Sequence, residues 1–198
     1  MESKIKNQLK SQISSSIEVK HKLLQDENFH SKIISASNKI IDSFRSGKKL
    51  LLAGNGGSAA DAQHISAEFV SRFYFDRPGL PSIALTTDSS IITAIGNDYG
   101  YDKLFERQID AIGAEGDVFL GISTSGNSVN ILKAFKLAKE KNIFTIGFSG
   151  ENGIKDFTPD ILFNIPSVET PRIQESHILT GHLICYLVEE LMFGNDNA

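Results

Sequence analysis

Leu50 to Glu68 reads LLLAGNGGSAADAQHISAE, and this stretch decides the fold. The apolar residues Leu50 to Ala53 run without a polar break into Gly54-Asn55-Gly56-Gly57-Ser58, and an alanine-rich helical pattern follows. An unbroken apolar run closed by glycine predicts a strand buried on both faces. Strand, glycine turn and helix in that order open a parallel α/β sheet. The same order leaves backbone N–H groups and a helix N-terminus where they can hold an anion. His64 and Glu68 stand four residues apart, so they share one helix face about a turn beyond that anion site.

Downstream, the pattern repeats. Strands are predicted over Lys49–Ala53, Ser82–Leu85, Asp117–Ile122, Ile143–Phe148 and Asp160–Ile165. Helices are predicted near Ser58–Tyr74, Ser89–Ile95, Asp102–Ile112, Val129–Lys141 and Thr170–Phe193. Apolar strands alternating with helices imply an α/β three-layer sandwich around a five-stranded parallel sheet, with ligands at the carboxyl ends of the strands. Upstream lie two helices. The first carries Ile5, Leu9, Ile13 and Ile17 at four-residue steps, a narrow stripe that packs against something outside its own sheet, with an oligomer preferred and packing within the chain as the alternative. The second runs from Glu27 to Phe44, with Gly47 as the residue that ends it. Residues 1–198 form one domain, with 1–46 as an N-terminal helical extension used in oligomerisation.

Composition narrows the function. A net charge of −4 and the lack of a basic cluster argue against nucleic acid as a ligand. The single cysteine, Cys185, allows no intrachain disulfide and sits in an apolar helical run. No leader-like apolar segment and no run of membrane-spanning length is visible, so a soluble, cytoplasmic protein is expected, with no membrane partner.

Each motif has a bland alternative. Gly54-Asn55-Gly56-Gly57-Ser58-Ala59 partly fits a dinucleotide fingerprint, but the acid that would bind a ribose is missing at the end of the second strand, where only Asp88 follows two threonines. The predicted strand ending at Ile122 runs into Ser123-Thr124-Ser125-Gly126-Asn127-Ser128, in which hydroxyls and N–H groups converge on a helix start without a lysine. That donor set suits the phosphate of a small sugar, although the same residues make an ordinary helix cap. Asp61, His64, Glu68 and Arg72 form one polar stripe, on which His64 and Glu68 can share a metal or a proton, or be a surface ion pair. Gln174 and His182 lie about two turns apart on the last, largely apolar helix, so one ligand can see both. His177 is expected in the core or on the surface, and His21 and His30 outside any chemistry.

Taken together, GNGGS at 54–58, QHISAEF at 63–69, GND at 96–98, GDVFLGISTSGNS at 116–128 and RIQESH with His182 resemble the sugar isomerase (SIS) domain family, and within it the phosphoheptose isomerases. The resemblance implies a flavodoxin-like SIS sandwich, a homotetramer with sites between subunits, and conversion of sedoheptulose 7-phosphate to D-glycero-D-manno-heptose 7-phosphate on the way to ADP-heptose and lipopolysaccharide cores. It assigns phosphate contacts to Ser123, Thr124, Ser125 and Ser128. It places Asn55, Gly56 and Gly57 in the substrate loop, with Ser58 as a helper and Asn97 and Asp98 on the sugar. It makes Glu68 the general base and His182 its acid-base partner, and it sets a Zn2+ ion on His64, Glu68, Gln174 and His182.

The implied chemistry fits these residue types. Moving a carbonyl from C2 to C1 requires a base for the carbon proton and a group that passes the oxygen proton at neutral pH. A related non-catalytic adaptor, which binds the bacterial replication initiator protein, keeps the glycine turn and RIQE but lacks a glutamate and histidine at the positions of Glu68 and His182. Ser58-Ala59-Ala60 and Ile178-Leu179-Thr180 depart from residues common in the isomerases and lean towards that adaptor. A third class is an SIS enzyme acting on another sugar phosphate, such as a hexulose phosphate isomerase or an amino-sugar lyase; chain length counts against its tandem-domain members.

Overall fold

The computed structural model describes residues 1–194. Its centre is a five-stranded parallel sheet of β1 (Leu50–Gly54), β2 (Ser82–Ala84), β3 (Val118–Ser123), β4 (Phe144–Ser149) and β5 (Ile161–Asn164), in the spatial order β2-β1-β3-β4-β5. The helices are α1 (Glu2–Leu24), α2 (Glu27–Arg45), α3 (Gly57–Val70), α4 (Ser89–Asp98), α5 (Leu104–Ile112), α6 (Val129–Glu140) and α7 (Thr170–Phe193).

Because strand side chains alternate between faces, the run Leu50–Ala53 feeds two cores at once. Leu50 and Leu52 join Leu120, Ile146 and Phe148 beneath α2, α3 and α7. Leu51 and Ala53 join Phe119 in a second cluster capped by α4, α5 and α6. The three layers predicted from the apolar runs are therefore present.

The strand order places the chain's switch of direction between β1 and β3. These strands pair with Ala53 opposite Gly121 and Gly54 opposite Ile122, yet α3 covers one face and α6 the other. The loops after β1 and β3 consequently part in opposite directions and leave a crevice at the carboxyl ends. At the other end of the same strands, the buried Asp117 carboxylate accepts the Lys49 N–H at 3.0 Å, the Lys49 ammonium at 2.7 Å and the Ala114 N–H at 2.8 Å. That anchor holds the register from which both loops depart.

Three boundaries differ from expectation. Helix α3 stops at Val70 rather than Tyr74 because the chain turns to offer the Phe73 and Tyr74 N–H groups to Glu189 of α7. The helix expected over Asp102–Ile112 opens as a short 3-10 turn, Tyr101–Lys103, before α5. Helix α4 continues through Gly96 to Asp98. Helix α2 ends at Arg45 with Gly47 just beyond at φ +70°, the left-handed conformation expected of a helix-ending glycine.

Helix α1 buries only Val19 and Leu23, while Ile5, Leu9, Ile13 and Ile17 stay 50–61% exposed. The body of this chain does not cover the stripe. Among the described residues, no helix is long and apolar enough to cross a membrane.

Candidate active site

The loop after β1 brings Gly57 to the first turn of α3, facing α7. A Cβ on Gly57 would lie 2.4 Å from Gln174 Nε2, so only glycine lets the amide of Gln174 rest against the turn. Ser58 is buried beneath the same turn. On the neighbouring strand, the loop Ser123–Ser128 folds back on itself. Gly126 adopts φ +65°, and a Cβ there would come within 1.7 Å of the Gly153 carbonyl oxygen; glycine is required on both counts.

The hydroxyls of this loop are not used as helix caps. Ser128 is the N-cap residue of α6, yet its side chain makes no capping bond; its Oγ pairs instead with Ser123 Oγ at 2.9 Å. Ser125 Oγ accepts a long bond of 3.3 Å from the Asn127 N–H. Asn130 Oδ1 accepts the Ile131 N–H at 3.0 Å, which leaves the Val129 and Asn130 amides of the first turn of α6 for an anion.

Further along α3, His64 and Glu68 meet His182 of α7. His64 Nε2 lies 2.8 Å from His182 Nε2 and 3.4 Å from Glu68 Oε1, and one ligand atom from each residue falls within 4.8 Å of the others. Burial, reinforced by His64, lowers the pKa of His182, and Glu68 opposes this only in part. Two imidazole nitrogens and a carboxylate oxygen converging on one point are a donor set that suits zinc, which needs neutral histidine. The rings also stack edge to face at 5.0 Å, with Phe73 against His182 at 5.5 Å.

The end of α3 is fixed by a buried ion pair. Arg77 Nε donates to Glu189 Oε1 at 3.0 Å, and both side chains are almost fully buried. The Arg77 guanidinium also donates to the carbonyls of Glu68 and Phe69 at 2.8 and 2.7 Å, satisfying acceptors that a helix end leaves open. The backbone of Glu68 is thereby pinned to the helix that carries His182.

Asn97 and Asp98 sit at the exposed end of α4, where Asn97 Nδ2 donates to Asp98 Oδ1 at 2.8 Å; no hydrogen bond joins them to the other site residues among those described. Asn55 instead bonds Asn130 and Tyr101, two residues that sequence reasoning missed. Asn130 hides in the otherwise apolar start of α6, and its only signal was that break in the pattern. Asp61 lay on the predicted stripe without a role. Its Oδ2 is buried without a partner, and burial raises its pKa to about 6 against the opposing pull of His64. His177 is buried against Ser149, away from the cluster.

The sequence pattern of the SIS domain family matches residues 14–150. A phosphoheptose isomerase of Aneurinibacillus thermoaerophilus is 61% identical over 94% of this chain and 95% of its own. The chain belongs to the phosphoheptose isomerases of the SIS domain family. Phosphoheptose isomerase 2 of Campylobacter jejuni is 60% identical over 94% of this SIS chain and 93% of its own. Among solved structures, a phosphoheptose isomerase of Neisseria gonorrhoeae superposes with a TM-score of 0.85 at 38% identity, covering 94% and 99% of the two chains. One from Francisella tularensis gives 0.87 at 35% identity, covering 93% and 97%. The flavodoxin-like SIS sandwich expected from the sequence is therefore the observed fold.

Proposed function

We propose that this chain is an aldose-ketose isomerase that converts sedoheptulose 7-phosphate to D-glycero-D-manno-heptose 7-phosphate through an enediol. The observation that carries the proposal is the meeting of His64, Glu68 and His182 within 4.8 Å, beside a hydroxyl loop with uncommitted donors. The likeness to phosphoheptose isomerases, 61% in the case above, supports the substrate.

The phosphate rests on Ser123, Thr124, Ser125 and Ser128 and on the Val129 and Asn130 amides at the start of α6. The sugar chain then extends along the glycine turn, past Asn55, Gly56 and Gly57, towards α3. Glu68 removes the proton from C1 and returns it to C2, while His182 passes a proton between the two oxygens. His182 suits that task because its lowered pKa favours the neutral, proton-accepting form at pH 7. Glu68 keeps Oε2 without a hydrogen bond while Oε1 faces His64, so one oxygen can serve the cluster and the other the carbon proton. His64, Glu68 and His182 are the residues that would hold zinc, with Gln174, whose amide rests against Gly57, as the fourth ligand that the family resemblance implies; when bound, the ion would polarise the carbonyl and steady the developing negative charge.

Assembly as a homotetramer in the cytoplasm belongs to the same proposal. It is supported by the uncovered stripe on α1 and by a His64 side chain that is 48% exposed, open to a neighbouring subunit. The joint presence of Glu68 and His182 in one cluster favours the enzyme over the adaptor.

The test is incubation with sedoheptulose 7-phosphate in deuterated water, followed by NMR. An aldose product carrying deuterium at C2 is expected. A substrate spectrum that stays unchanged would sink the proposal and favour the adaptor.

A further inference from the structure

Three segments that build the crevice meet at one side chain. Asn55, in the glycine turn after β1, donates from Nδ2 to Asn130 Oδ1 at 3.0 Å and accepts from Asn130 Nδ2 at 2.9 Å. Asn130 stands in the first turn of α6, two residues past the hydroxyl loop, and is only 3% exposed. Tyr101, from the segment just after Asn97 and Asp98, donates its hydroxyl to Asn55 Oδ1 at 2.8 Å. The amide orientations are set from outside the pair, because Asn130 Oδ1 also accepts the Ile131 N–H at 3.0 Å. That bond forces Asn130 Nδ2 towards Asn55, and so turns Asn55 Oδ1 towards Asn130 and Tyr101. One Nδ2 proton of Asn55 is then left for a ligand oxygen.

A side-chain tie between the two parting loops is not needed to hold the sheet, whose register is already fixed by β1–β3 pairing and by Asp117. It acts where the sheet has ended. Asn130 moves with the hydroxyl loop, Asn55 with the glycine turn, and Tyr101 with the segment of Asn97 and Asp98. We propose that Asn130 and Tyr101 are positioning residues that orient Asn55 towards the sugar end of the crevice. Neither touches the reacting atoms; each acts through Asn55. The inference rests on the isomerase reading above and deepens it.

The experiment is a double-mutant cycle on the full chain, read as KM and kcat for sedoheptulose 7-phosphate and as the inhibition constant of inorganic phosphate. Tyr101→Phe removes one donor from an exposed ring and keeps the fold. It should raise KM about fivefold, the worth of one neutral hydrogen bond, with the phosphate constant unchanged because the hydroxyl loop keeps its own donors. In an Asn55→Ala background, Tyr101→Phe should have no further effect. Asn130→Ala, where it folds, should raise KM more than Tyr101→Phe. A Tyr101→Phe effect that persists in the Asn55→Ala background, an unchanged KM in Tyr101→Phe, or a phosphate constant that rises in step with KM in that variant would each overturn the proposal. Failure of the unaltered protein to turn over the substrate would instead remove the isomerase reading, and this inference with it.

Discussion

His64 and His182, 118 residues apart in the chain, bring their Nε2 atoms to 2.8 Å. Burial of His182, with His64 beside it, lowers the pKa of His182 and favours its neutral ring. Neutral imidazoles are what a metal requires. Protein purified without added metal should carry about one zinc per chain by elemental analysis, and His64→Gln or His182→Gln should weaken retention by roughly 10- to 100-fold or more, since even supporting partners of metal ligands contribute that much. An undiminished rate after exhaustive chelation would count against the site.

Glu68→Gln keeps the size of the side chain and the backbone carbonyl that Arg77 holds, but removes the proposed base. The kcat for heptose isomerisation should fall roughly 10²- to 10⁴-fold, with the thermal melting curve little changed. Full turnover in that variant would show that the carbon proton goes elsewhere.

The hydroxyl loop offers two graded tests. Ser125→Ala deletes one donor and should raise KM about fivefold, with stability preserved. Gly126→Ala forces a Cβ towards the Gly153 carbonyl at a left-handed φ, and should lower stability by about 2 kcal/mol or more. Denaturant midpoints for the two variants separate lost binding from lost fold.

Acid should weaken the core at His177, whose pKa burial lowers to about 4 while the Ser149 carbonyl opposes the shift in part. The unfolded chain takes up this proton near pH 6.5 and the folded chain does not until about 4, so stability falls as pH drops through that window. The loss approaches about 3 kcal/mol. Asp61 works in the opposite sense, because its raised pKa lets the folded chain bind a proton near pH 6 that the unfolded chain binds only near 3.8. Comparing the wild type with His177→Met between pH 7 and 4 isolates the histidine; identical pH profiles would refute its role.

The fold was legible where a local pattern carried it. Leu50–Ala53 announces a strand covered on both faces, and every predicted strand lies within a residue or two of its observed bounds. Helix α3 shows the limit. Phe69 and Phe73 keep the helical spacing, yet the helix ends at Val70 because Glu189 takes the Phe73 and Tyr74 amides, a contact no local spacing encodes. In the site, the spacing of His64 and Glu68 was visible, but its meaning depended on His182, which only the family resemblance supplied. Asn130 was invisible for the same reason, since its partner is 75 residues away.

Helix α7 supplies Gln174, His182 and Glu189, and it is synthesised after every other described element. A chain still emerging from the ribosome therefore holds the hydroxyl loop and two of the three members of the histidine–glutamate cluster, with the end of α3 not yet clamped by Glu189. The proposed reactive centre comes into being last, when α7 docks, so an incompletely made chain offers neither the full cluster of His64, Glu68 and His182 nor the clamp that fixes the Glu68 backbone.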